Sequence, residues 1–149
     1  DLIHCDIGLK GTYIQLHTDM QWMAYLLQDR ETKAPQELAA LFIQGKRLQD
    51  IVRERIGRSS TGNDAFLESL GTFGHGAGPT IGRYDQQAFI PITGERPIHD
   101  QTCHALELNV SGKLEAWDEQ LVYMYLEEVI CKDETADFLD GRQEDLILI

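Results

Sequence analysis

The chain has 149 residues, of which 42% are hydrophobic and 26% are charged, a composition typical of one globular domain. Its formal net charge of −12, from 25 acidic and 13 basic residues, argues against nucleic acid and membrane partners, because both bind basic surfaces. The sequence also lacks a run of about 20 apolar residues, the length that a membrane-spanning helix requires.

The cysteines and the N-terminal segment bear on the cellular compartment. Cys5, Cys103 and Cys131 form no C-x-x-C motif, and their odd number argues against a complete disulfide framework. We therefore expect reduced, buried thiols. No secretory signal is visible at the start of the chain. The compartment stays open at this point, with the cytoplasm favoured.

The N-terminal segment predicts a β-hairpin. Residues 2–9 and 12–17 have the character of two strands joined by a tight turn, and residues 22–27 predict a third strand. Asp6 and Asp19 lie 13 residues apart across this hairpin, so adjacent strands could bring both carboxylates onto one surface. By the two-residue period of a strand, one face of the first strand carries Leu2, His4, Asp6 and Gly8.

Residues 35–56 predict the clearest helix, which we interpret as scaffold. Pro35 suits a first helical position, and Gly57 is expected to end the helix. Residues 61–70 predict a second, shorter helix before a glycine-rich loop over residues 71–82. The long helix has apolar residues at the i, i+3, i+4, i+7 spacing of a buried stripe, namely Leu38, Leu41, Phe42, Gly45, Leu48, Ile51, Val52 and Ile56.

The C-terminal part predicts further strands. Residues 103–110, 113–117 and 121–131 have strand character, and Ser111-Gly112 predicts a hairpin turn between the first two. A last strand is expected over residues 145–149. Strands together with helices predict an α/β (α+β) fold.

Five side chains of the kinds that bind divalent cations occur along the chain, each in its own local motif. They are Asp6 in HCDIG, Asp19 in HTDMQ, His75 in GHGAG, Glu107 in LELN and Glu127 in LEEV. Four carboxylates and one imidazole are what two divalent cations sharing a site require. Oxygen ligands suit Mn²⁺, and one imidazole also admits Zn²⁺, Co²⁺ or Fe²⁺.

This order of Asp, Asp, His, Glu and Glu resembles the pita-bread metallopeptidases, the superfamily of methionine aminopeptidase, Xaa-Pro aminopeptidase and prolidase. The match runs from Asp6 to Glu128 and so covers most of the chain. The resemblance implies a pita-bread fold, in which a curved mixed or antiparallel sheet holds the metals and helices lie outside. Because that catalytic domain is longer, residues 1–149 are expected to be its C-terminal portion.

The resemblance also implies an activity. The protein would be a metal-dependent exopeptidase of the Xaa-Pro aminopeptidase or dipeptidase type, hydrolysing the N-terminal bond of small peptides through a hydroxide on two divalent metal ions. Asp6 would chelate one ion, Asp19 and Glu127 would bridge both, and His75 and Glu107 would bind the second. Glu107 would double as the general base. Homodimers are common in the family, so a dimer is expected as well.

Several positions depart from the family pattern. Where these aminopeptidases carry a further histidine, this chain has Tyr84, which is expected to donate a catalytic hydrogen bond but, with an ordinary pKa of about 10, shuttles protons poorly at neutral pH. Gln21-Trp22 replaces a Thr-Arg pair, and Tyr125 replaces an arginine. These departures favour the alternative of a catalytically inactive pita-bread pseudoenzyme or binding module.

Two further interpretations compete with the metallopeptidase, namely a metal-free hydrolase on the same fold and an acidic interaction domain. A metal-free hydrolase of the creatinase type typically lacks the aspartate ligands, so Asp6 and Asp19 argue against it. An acidic interaction domain would make the ordered match of five motifs a coincidence, so it ranks last.

His17 and His104 lie near Asp19 and Glu107 in sequence and are candidate hydrogen-bond donors to them. No role is assigned to the two remaining histidines, His4 and His99.

Overall fold

The computed structural model describes residues 1–10, 17–58, 75–77 and 97–149, and it describes the side chains of these except at 9–10, 17–18, 58 and 75–77. In these ranges one mixed, mostly antiparallel sheet packs against one α-helix, so the fold is α+β in character. The helix α1 spans Gln36–Arg58. The strands are β1 (Leu2–Lys10), β2 (His17–Tyr25), β3 (His75–Ala77), β4 (Thr102–Leu114), β5 (Gln120–Lys132), β6 (Ala136–Phe138) and β7 (Ile147–Leu148).

Strand β5 lies at the centre of the sheet. The strand order is β1-β2-β5-β4-β3, with β6 paired to β5 and β7 paired to β2. All 13 residues of β5 pair antiparallel with β4 on one edge, while β2 and β6 share the other edge. The only parallel pairing among the described strands is that of β7 with β2. Side chains from β5 are therefore flanked by strands from both halves of the chain.

The N-terminal hairpin is confirmed in part. The first predicted strand is β1. Of the predicted second strand over residues 12–17, only His17 lies within the described residues, as the first residue of β2. Strand β2 pairs with β1 and includes most of the run predicted as a separate strand over residues 22–27. The ladder pairs every residue of β1 with one of β2, from Leu2 opposite Tyr25 to Lys10 opposite His17. This continuous pairing satisfies the backbone groups between the two strands.

The predicted turn at Ser111-Gly112 and the strand over residues 113–117 are wrong. Strand β4 continues to Leu114, and the turn to β5 is a 3₁₀ segment over Glu115–Trp117 followed by two residues with positive φ. Gly112 has a packing role instead, since a Cβ there would lie 3.3 Å from Cδ1 of Leu41 on α1. The glycine lets the helix approach the sheet closely.

Helix α1 packs over β4 and β5 and forms the core with them. It begins at Gln36, one residue after the predicted start at Pro35, and it continues past the predicted end at Gly57 to Arg58. Ile51, predicted for the buried stripe, is 47% exposed. A Cβ on Gly45 would meet Cδ1 of Leu126 at 2.6 Å, so a larger side chain at this position requires the Leu126 side chain to shift.

Other sequence predictions fall outside the described residues. The short helix over residues 61–70 and most of the glycine-rich loop over residues 71–82 belong to this group, and only residues 75–77 of that loop are described, as strand β3. At the C-terminus the predicted strand over residues 145–149 is shorter, because only Ile147 and Leu148 pair with β2. Within the described ranges, no helix is long and apolar enough to cross a membrane.

The expectation of three reduced, buried thiols is wrong. Cys103 and Cys131 lie directly opposite each other on β4 and β5 and form a disulfide, and Cys5 is an exposed free thiol. The two bonded cysteines are 28 residues apart in sequence. Only the register of β4 against β5 brings them together, and the sequence spacing alone does not indicate that register.

Candidate metal centre

A row of polar side chains crosses one face of the sheet, with one residue from each of four adjacent strands. Asp6 of β1 lies opposite Gln21 of β2, Gln21 lies opposite Glu127 of β5, and Glu127 lies opposite Glu107 of β4. Asp19 precedes Gln21 by two residues and so shares its face. Strand pairing therefore brings together four of the five side chains that the sequence identified as ligands.

Three of these carboxylates form a compact cluster. One oxygen from each of Asp6, Asp19 and Glu127 lies within 4.8 Å of the other two. Asp6 is exposed, Asp19 is half-buried, and Glu127 is only 2% exposed. Converging carboxylate oxygens from rigid strands are the donor set that hard divalent cations such as Mn²⁺ prefer. The chemistry of these residues therefore fits a divalent cation.

Gln21 connects Glu107 to this cluster. Its amide nitrogen donates hydrogen bonds to Oε1 of Glu107 at 3.0 Å and to Oε2 of Glu127 at 2.8 Å. Gln21 is only 4% exposed, and Glu107 is half-buried. Both carboxylates thus face the same amide group, and Glu107 lies beside the three clustered acids.

The remaining two predicted site residues are less fully described. The backbone of His75, on the strand β3 next to β4, lies opposite Ala105. Ala105 precedes Glu107 by two residues on β4. The side chain of His75 and the whole of Tyr84 lie outside the described part of the chain. The metal-binding role of His75 and the catalytic role of Tyr84 therefore stay predictions.

His4 belongs to the site, although the sequence analysis assigned it no role. Its Nε2 lies 3.0 Å from Oε1 of Gln21, and its ring stacks on Tyr125 with 4.8 Å between the ring centroids. The two-residue alternation that places His4 and Asp6 on one face was the available signal for this contact. Of the histidines proposed as donors, His104 has its Nε2 2.9 Å from Oγ1 of Thr102, and the side chain of His17 lies outside the described residues.

Glu127 and Glu128 point to opposite faces of β5. Glu128 accepts hydrogen bonds from the Gln49 side chain on α1 and, at 3.0 Å, from the backbone N–H of Gln143. Burial raises the pKa of Glu128 above its ordinary value, although the hydrogen bonds from Gln143 and Gln49 oppose the shift. Glu128 therefore belongs to the packed side of the sheet, and Glu127 belongs to the acidic cluster.

A cavity of about 770 Å³ lies next to the row of polar side chains, with walls from β1, β2 and β5. His4 lines it and also contacts Gln21, so the cavity and the cluster share a boundary. Its walls are rich in aromatic rings. Tyr123 stacks on Tyr125 at 6.1 Å between centroids, and Tyr25 lies 6.3 Å from Trp117. Flat aromatic surfaces of this kind suit apolar ligand groups.

The geometry therefore places a cluster of three carboxylates, a candidate site for a divalent cation, beside an aromatic cavity. Comparison of the sequence with protein-family models found no match, and comparison with curated proteins found none either. The likeness to the pita-bread metallopeptidases rests on the five motifs and their order along the chain.

Proposed function

We propose that this chain is part of a metal-dependent exopeptidase of the pita-bread type, acting as an Xaa-Pro aminopeptidase or dipeptidase. The observation that carries the proposal is the convergence of Asp6, Asp19 and Glu127 oxygens to within 4.8 Å of one another. These residues come from three different strands and are the same ones that the motif order assigned as ligands. Glu107, the fourth acidic residue of that order, lies beside them through Gln21.

Each residue has a defined role in this proposal. Asp6, Asp19 and Glu127 hold divalent cations, and Glu107 and His75 complete a pair of sites for Mn²⁺, or for Zn²⁺, Co²⁺ or Fe²⁺. When bound, such cations polarise a carbonyl and lower the pKa of water. Glu107 acts as the general base, because its half-buried carboxylate lies at the edge of the cluster. Tyr84 donates a hydrogen bond to the substrate.

The substrate in this proposal is a small peptide. The aromatic cavity next to His4 offers about 770 Å³ for residues beside the bond that is cleaved. Proline rings and other apolar side chains pack well on Tyr and Trp surfaces, which favours Xaa-Pro peptides. Formation of a homodimer and a cytoplasmic location are part of the same proposal.

A second candidate is a pita-bread protein that binds a ligand without catalysis. Two observations favour it. The Gln21 amide already engages both Glu107 and Glu127, and Tyr125, in place of the arginine of the family, stacks on His4. Binding of metal without turnover would distinguish this candidate from the exopeptidase.

The test combines metal analysis with a peptide assay. Protein purified without chelator and incubated with Mn²⁺ is analysed for metal content and then tested on Xaa-Pro dipeptides and tripeptides. About two metal ions per chain together with release of the N-terminal residue would support the exopeptidase. About two ions without turnover would support a metal-bound pseudoenzyme, and the absence of bound metal would contradict the exopeptidase and favour a binding module.

A further inference from the structure

Gln21 has an unusual set of contacts for a buried neutral side chain. It is only 4% exposed and makes three side-chain hydrogen bonds, each between 2.8 and 3.0 Å long. Two of them go from its amide nitrogen to the carboxylates of Glu107 and Glu127. The third joins its Oε1 to Nε2 of His4. This one amide thus connects side chains from all four strands of the row, which are β1, β2, β5 and β4.

The hydrogen-bond pattern fixes the orientation of the amide. A glutamine amide nitrogen has two N–H donors, and here both point to carboxylate oxygens, which only accept. A flipped amide would place its own oxygen against two carboxylates. His4 therefore donates from Nε2 to Oε1 of Gln21 and holds the amide in the orientation that the two glutamates require.

The two glutamates need such a bridge because strand pairing places them directly opposite each other. Like charges opposite each other on neighbouring strands repel and tend to turn apart. A shared donor holds one oxygen of each carboxylate in place. A carboxylate has two oxygens, so each glutamate is able to accept from Gln21 with one and to bind a cation with the other.

We propose that Gln21, held by His4, is a positioning residue that orients Glu107 and Glu127 for the cations and thereby sets the metal affinity. This proposal rests on the proposed metal centre. Hydrogen bonds to ligating groups typically change metal affinity by about 10–100-fold when they are removed. The role belongs to Gln21 because its amide nitrogen donates to both glutamates at once.

The test is a Mn²⁺ titration by calorimetry of the full chain carrying Gln21→Met, which keeps the length of the side chain and removes its donors. We expect Mn²⁺ to bind about 10–100-fold more weakly than to the unmodified protein. The matched control is Gln49→Met. Gln49 is also a buried glutamine that donates to a glutamate of β5, but it acts on Glu128 at the opposite face. We expect Gln49→Met to leave the Mn²⁺ affinity unchanged.

A spectroscopic measurement separates positioning from a general effect on stability. The visible absorption of the Co²⁺-loaded protein reports the coordination geometry, and we expect it to change with Gln21→Met and to stay the same with Gln49→Met. His4→Phe provides a second variant at an exposed position that keeps the ring on Tyr125 and removes the donor to Gln21. It should also weaken Mn²⁺ binding, by a smaller factor than Gln21→Met does.

The outcomes distinguish the two proposals. Unchanged Mn²⁺ affinity and an unchanged Co²⁺ spectrum in folded Gln21→Met would overturn the role of Gln21 and leave the metal centre standing. If Gln21→Met does not fold, unchanged affinity in His4→Phe overturns it instead. Failure of the unmodified protein to bind Mn²⁺ would remove the metal centre itself, and the role of Gln21 with it.

Discussion

Asp6→Asn should stabilise the metal-free protein and reduce the stabilisation that the protein gains from bound metal. The side chain keeps its size and loses its charge, and the oxygen of Asp6 lies within 4.8 Å of those of Asp19 and Glu127. Two unit charges at that separation repel by about 0.9 kcal/mol in water and by about 3.5 kcal/mol at an effective dielectric constant of 20. Because Asp6 is exposed, the lower value applies to each of its two pairs.

The expected effect without metal is therefore an increase of about 1–2 kcal/mol in the free energy of unfolding, since salt screens part of the repulsion. For a domain of this size each kcal/mol corresponds to about 2–4 °C, so Tm should rise by about 2–8 °C. A bound cation should offset this advantage of the variant. At a Mn²⁺ concentration of about 100 times Kd, binding stabilises the unmodified protein by about 2.7 kcal/mol, and loss of one anionic ligand should reduce that gain by more than half.

The assay is thermal unfolding in low salt, once with chelator and once with Mn²⁺. The control is Asp29→Asn, which makes the same change of charge at an exposed acid outside the cluster. Asp6→Asn should raise Tm with chelator and shrink the Mn²⁺ shift, whereas Asp29→Asn should do neither. Identical behaviour of the two variants would refute the view that Asp6 belongs to a cation site.

Three further predictions concern other residues. Glu107→Ala should abolish peptide hydrolysis while the circular dichroism spectrum stays native, and persistent turnover would show that Glu107 is not the general base. The free energy of unfolding of Glu128→Gln, relative to that of the unmodified protein, should increase as pH rises above 4.5. The reason is that the raised pKa of Glu128 makes the folded state lose stability when this buried acid ionises. Urea unfolding of both proteins between pH 4.5 and 8 measures this difference in free energy, and a difference that stays constant with pH contradicts the prediction. Reduction of the Cys103–Cys131 disulfide, which closes a loop of 28 residues, should lower the free energy of unfolding by up to about 3.6 kcal/mol, and thiol titration should count one reactive thiol before reduction and three after.

The prediction of secondary structure succeeded where the pattern of side chains is local. The apolar stripe from Leu38 to Ile56 indicated α1, and the alternation in residues 2–9 indicated β1. It failed where long-range packing decides the role of a residue. Gly112 has the sequence signature of a turn, but its small size serves the contact with Leu41, and the chain turns several residues later.

In the candidate site, too, the local features were predictable from sequence and the long-range contacts were not. The types and order of Asp6, Asp19, Glu107 and Glu127 were visible in the sequence, because carboxylates suited to divalent cations are a property of single residues in short motifs. The importance of Gln21 was not visible, and for His4 the alternation along β1 indicated only that it shares a face with Asp6. Their roles depend on which residues lie opposite one another on neighbouring strands, and a shift of one residue in register would send each side chain to the other face.

The sequence by itself determined the candidate ligands, the long amphipathic helix and the first strand, since each depends on residue type and local spacing. Only the tertiary structure decided that β5 lies between β2 and β4, that Glu127 faces the acids while Glu128 faces the helix, and that Cys103 bonds to Cys131. The physical reason is that strand register is fixed by backbone pairing and core packing between distant segments, which no local pattern encodes.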